Sequence, residues 1–127
     1  MSDPNMSEPN MPDPNPIAIR MAAHTYIEAY NEPDADRKRQ MLAESFSAQG
    51  VYSSNNQELD FSGVLAMASD FHETAVMEIV GDVTVHHRYA TFRWRYVQTA
   101  TGEEATGVDF CVANTDGLLE TVVVFFD

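Results

Sequence analysis

Basic residues are scarce in this chain: 7 lysines and arginines stand against 20 acids, a net charge of −13. So acidic a surface repels phosphate backbones and anionic lipid, which removes nucleic acid and membrane surfaces from the expected partners. Cysteine is scarcer still. Cys111 stands alone, so no internal disulfide can form, and the four histidines show no ligand spacing beyond the adjacent His86 and His87. No metal site and no cofactor are expected. Long apolar runs are missing too: stretches such as Val122–Phe126 fall far short of the roughly 20 residues that span a bilayer. The N-terminus has neither the basic start nor the apolar segment of a secretory leader, so a cytoplasmic protein is the expectation.

At 127 residues the chain suits one domain with a single core. It starts with three copies of a five-residue unit: Met-Ser-Asp-Pro-Asn, Met-Ser-Glu-Pro-Asn and Met-Pro-Asp-Pro-Asn. Recurring proline with acidic and amide neighbours neither builds a helix nor buries a core. Residues 1–15 therefore read as a disordered acidic tail and 16–127 as the domain.

Asn15-Pro16 is an N-cap followed by proline at the first helical position. From there Ile19, Ala22, Ala23, Tyr26, Ala29 and Tyr30 fall on one stripe, opposite Arg20, His24 and Glu28, so Tyr26 is expected to point inward. Asn31-Glu32-Pro33 breaks this helix. Asp34 is placed to cap a second helix carrying Met41, Leu42 and Phe46, and Ser62 a third running through Met67 to Phe71 and closed by His72. Val51-Tyr52-Ser53 reads as a short strand between them.

After Thr74 the pattern turns extended, in runs 76–85, 90–97, 105–113 and 118–126 joined at His87-Arg88, Thr101-Gly102 and Asp116-Gly117. Helices first and an antiparallel sheet afterwards predict an α+β fold. The last run is apolar on both faces, Val122, Val124 and Phe126 alternating with Leu119, Val123 and Phe125. Its second face calls for a cover, either a homodimer packed sheet to sheet or a sheet curved over itself.

One residue breaks the apolar pattern. Asp109 stands between Val108 and Phe110, where a carboxylate is expensive to bury without a partner. It shares its strand face with the small residues Cys111 and Ala113, while Phe92, Trp94 and Tyr96 on the preceding run make its surroundings apolar. Desolvation there would raise its pKa and make it a hydrogen-bond donor in a pocket. The alternative is a carboxylate that ties the sheet to the first helix. Tyr52, Met67 and Phe71 are expected to line the pocket together with Trp94, Phe92 and Tyr96.

The element order, with Tyr26-Ile27-Glu28-Ala29-Tyr30-Asn31, Leu42 to Phe46, Phe61-Ser62-Gly63, Phe92 to Tyr96 and Gly107-Val108-Asp109 through Phe125-Phe126-Asp127, resembles the nuclear transport factor 2-like (NTF2-like) superfamily. Within it the chain looks most similar to the SnoaL-like polyketide cyclase and ketosteroid isomerase branch. The resemblance implies a cone-shaped fold, three N-terminal helices packed on a curved antiparallel sheet. It also implies a pair of donors to a substrate oxygen, a first-helix tyrosine and a protonated strand carboxylic acid, which fall on Tyr26 and Asp109.

The branch's general base, a carboxylate on the short strand after the second helix, falls on Ser53 and Ser54, which cannot take a proton from a carbon acid unaided. His86 is the candidate replacement, expected on the face of Phe92 and Trp94 if the turn carries no bulge. Arg93 and Arg95 are expected on the other face, paired with Glu103, Glu104 or a partner's acids; with no acid beside them on their strand, a water-activating Asp-Arg-Asp set is not expected. Two functions follow: an isomerase, cyclase or dehydratase acting on an apolar carbonyl compound, or a non-catalytic ligand-binding or dimerisation module.

Overall fold

A computed structural model describes residues 13–127. Most of the expected tail, residues 1–12, lies outside the described residues. The Asp13 carboxylate pairs with His87 Nδ1 at 2.7 Å and lies 3.9 Å from the Arg88 guanidinium.

Helix α1 (Pro16–Asn31) starts as its cap dictates, with the Asn15 side chain accepting from the Ile17 N–H at 2.8 Å. Its buried stripe is the expected one with Ile27 added. Helix α2 (Ala35–Ala43) is capped by Asp34, and α3 (Phe61–Ala68) by Asp60, whose carboxylate accepts from the Gly63 N–H; Ser62 lies inside α3 instead of capping it. His72 belongs to a separate single turn, α4 (Phe71–Thr74).

Between the helices runs β1 (Phe46–Ser53), longer than expected. Phe46 opens this strand and is not part of α2, because pairing with the last strand at Leu119 extends the chain there. Its ring stacks against Tyr26 at 6.0 Å and fills the space over Gly50, where a Cβ would sit 2.7 Å from it.

The other strands are β2 (Glu58–Leu59), β3 (Ala75–His86), β4 (Tyr89–Gln98), β5 (Glu104–Ala113) and β6 (Leu119–Phe126). They form one curved sheet in the order β2-β1-β6-β5-β4-β3. The short strand and the four runs expected are joined by β2 to make six strands, and the sheet is mixed where an antiparallel one was expected, since β1 lies parallel to β6 while every other pair is antiparallel. It is open, with β2 and β3 as edges. The fold is α+β, with helices on the inner face, where Ala90, Phe92, Trp94, Asp109, Cys111, Val122 and Val124 are buried.

Two polar contacts set the helices on the sheet. The Asn31 amide both donates to the Met77 carbonyl and accepts from the Met77 N–H, each at 2.8 Å, acting as a short extra strand for the edge of β3. Lys38 is buried, and its ammonium donates to the carbonyls of Ala29 and Tyr30 near the end of α1 and of Ala68 at the end of α3. One cation thereby satisfies carbonyls that both helices leave open. On the outer face Arg93 pairs with Asp127, and Arg95 with Glu78 and the expected Glu104.

Candidate active site

Inside the curve of the sheet lies a cavity of ≈ 310 Å³. Helix α1 supplies Tyr26, Ile27 and Tyr30 because its 3.6-residue period places these side chains on the face turned to the sheet. Strand period supplies Trp94 and Tyr96 from β4, Ala105 and Asp109 from β5, and Val124 and Phe126 from β6. Met67 and Phe71 close it from α3 and α4, Met77 from β3, and Tyr52 with Ser54, Asn56 and Gln57 from β1 and the following loop. The wall is mostly apolar, with few polar groups, as small-molecule sites are.

Asp109 is 3% exposed. Burial raises its pKa from 3.8 to about 7, because the charged form is desolvated more than the neutral one. The Trp94 indole N–H beside it acts in the opposite direction, without reaching the geometry of a hydrogen bond. On the same wall the Tyr26 and Tyr30 hydroxyls meet at 2.8 Å. Burial pushes both phenols above their usual range, so both keep their protons and one proton of the pair remains free to donate outward.

The structure thus brings Tyr26, Asp109, Tyr52, Trp94, Tyr96, Met67 and Phe71 to one cavity. Phe92 is buried in the core but does not reach the wall. His86 is the correction. The turn His87-Arg88 pairs His86 with Tyr89, and Tyr89 belongs to the strand row of Thr91 and Arg93, so His86 is exposed on the outer face. Tyr30 was signalled by its i,i+4 spacing from Tyr26 on the same stripe, yet that spacing alone reads as core packing. Among the described residues the wall holds one carboxylate and no histidine, lysine or arginine, and Ser54 occupies the rim where a base was sought. No group of three or more metal-ligating side chains occurs among them.

No protein-family model and no curated protein matches the sequence. Solved structures do. A candidate isomerase of the SnoaL-like family from Agrobacterium tumefaciens superposes with a TM-score of 0.75 at 25% identity, covering 87% of this chain and 98% of that one. The fold is that of the NTF2-like superfamily. Two further solved structures match in backbone: a candidate ketosteroid isomerase from Kribbella flavida (TM-score 0.70, 16% identity, 87% and 78% covered) and a candidate polyketide cyclase from Sinorhizobium meliloti (0.64, 16%, 81% and 92%). At such identities the likeness is one of fold. The NTF2-like sheet accounts for the cavity, and this chain's own side chains account for what the cavity can do.

Proposed function

We propose that this NTF2-like chain is a small-molecule pocket protein acting as an isomerase, cyclase or dehydratase on an apolar carbonyl compound. One observation carries the reading: an acid poised near neutrality and a buried pair of tyrosine hydroxyls face one apolar cavity. A carbonyl oxygen held by the Tyr26–Tyr30 pair gains negative charge as an enolate forms, and donors aimed there bind that charge more strongly than the ground state. With His86 outside, Asp109 is the group on the wall able to move the proton. Ionised Asp109 takes the proton from the carbon next to the carbonyl, the electron pair moves onto the oxygen, and the neutral acid returns the proton at another carbon. Asp109 is then a proton carrier, where the family resemblance implied a donor.

A second reading has its own support. With one carboxylate and no separate base on the wall, the cavity is equally suited to holding an apolar ligand without turnover. Exchange of the α-protons of a panel of cyclic enones for deuterium, followed by NMR, separates the two. The enzyme reading expects exchange by the wild type and its loss in Asp109→Asn and Tyr26→Phe variants that unfold normally. Full exchange in both variants would remove these residues from the mechanism, and binding without exchange by the wild type would favour the binding module.

A second copy of the chain is proposed to cover the outer sheet face, on which Val76, Val80 and Phe125 are exposed and Tyr89 stacks on Phe110.

A further inference from the structure

The β4–β5 register pairs Trp94 with Gly107 and Phe92 with Asp109, so Trp94 and Asp109 are diagonal neighbours on the inner face. Gly107 lets the indole approach. A Cβ at this position would fall 2.3 Å from Trp94 Cζ2 and 2.8 Å from Cε2, the atom bonded to Nε1, so the nitrogen-bearing side of the ring rests on β5. Phe126 meets the indole edge to face at 5.4 Å. Held in this way, Trp94 is 4% exposed and its Nε1–H has no hydrogen-bond partner among the described residues. A buried donor without a partner, next to a buried acid, calls for an explanation.

We propose that Trp94 is the positioning residue of Asp109: its indole N–H donates to the ionised carboxylate, and that hydrogen bond weakens when the acid is protonated. This rests on the proton-carrying role given to Asp109 above, and explains how one buried carboxyl can serve in both charge states. The neutral acid is favoured by its apolar surroundings and the anion by the indole. Gly107 takes part by leaving the space that the ring occupies. The other titratable groups on this wall and on the inner face of β5 are Tyr26 and Tyr30 from α1, Tyr52 from β1, Tyr96 from β4 and Cys111 from β5, four phenols and a thiol; Glu104 of β5 faces outward to Arg95. Burial raises Tyr26, Tyr30, Tyr52 and Cys111 above their usual values, which leaves Asp109 to titrate near neutral pH without them.

Trp94 is the only tryptophan, so its indole gives one ¹⁵N–¹H resonance in the labelled full-length chain. The expected result is a resonance that shifts with pH at the same midpoint as the ¹³C signal of the Asp109 carboxyl, and that stops titrating in Asp109→Asn. Trp94→Phe should raise the Asp109 midpoint by about one unit, since a hydrogen bond to the charged form is lost. The proposal is overturned if the wild-type indole resonance stays flat between about pH 5 and pH 9 while Asp109 titrates, or if Trp94→Phe folds and leaves the midpoint where it was. No ligand enters this experiment, so a titrating indole in a protein that exchanges no substrate protons would sink the enzyme reading and leave the pairing intact.

Discussion

Replacing Asp109 with asparagine should stabilise the fold, by an amount that depends on pH. The buried carboxyl titrates at about 7 against 3.8 for an unperturbed aspartate. Between those values the folded chain keeps a proton that the unfolded chain has released, so stability falls as pH rises through this window, and the full penalty is present above about pH 7. At about 1.36 kcal/mol per pKa unit, the penalty is about 4 kcal/mol. Asparagine has nearly the same shape and no charge to desolvate. Urea unfolding of both proteins near pH 4 and pH 8 gives a double difference in which the remaining titrations and the amide's own burial cancel. The variant should gain about 3–4 kcal/mol relative to the wild type between the two pH values. A difference that does not change with pH would refute the raised pKa. One that favours the wild type as pH rises would mean that Asp109 is ionised and paired in the fold.

Lys38→Met removes the cation that holds three helix-end carbonyls and should cost at least about 3 kcal/mol in the same unfolding assay. Asn31→Ala breaks both bonds to Met77 and should cost about 2 kcal/mol, with faster hydrogen exchange at the Met77 amide than at the centre of β4. If a second copy packs on the outer face, Phe125→Glu should convert the dimer seen by sedimentation into a monomer with its secondary structure unchanged; an identical mass for both proteins would count against that interface.

The helices and their inner stripe were legible because they depend on neighbours in sequence: Asn15 and Asp34 cap as their residue types require, and Tyr26 and Tyr30 point inward by helical period. Strand alternation likewise put Asp109 and Trp94 on one face. What escaped the sequence depends on partners far away along the chain. Phe46 follows Leu42 at helical spacing, and its extended backbone comes from pairing with β6, more than 70 residues later. Lys38 is buried because the ends of α1 and α3 converge on it, which nothing in its local sequence signals. His86 shows how much one register assignment decides: across a two-residue turn it pairs with Tyr89, which places it outside and takes it from the candidate site. Asp60 rather than Ser62 caps α3, since both types cap well and only the backbone distinguishes them.

The central claim is that the cavity holds an apolar compound by its carbonyl oxygen. Calorimetric titration near pH 6, where Asp109 is mostly neutral, tests it with 2-acetonaphthone and 2-isopropenylnaphthalene, which differ by a methylene in place of the carbonyl oxygen. The ketone is expected to bind at least about tenfold more tightly, as one buried hydrogen bond gives, and Tyr26→Phe combined with Tyr30→Phe to abolish the preference. Equal affinity of the wild type for the two compounds would contradict it.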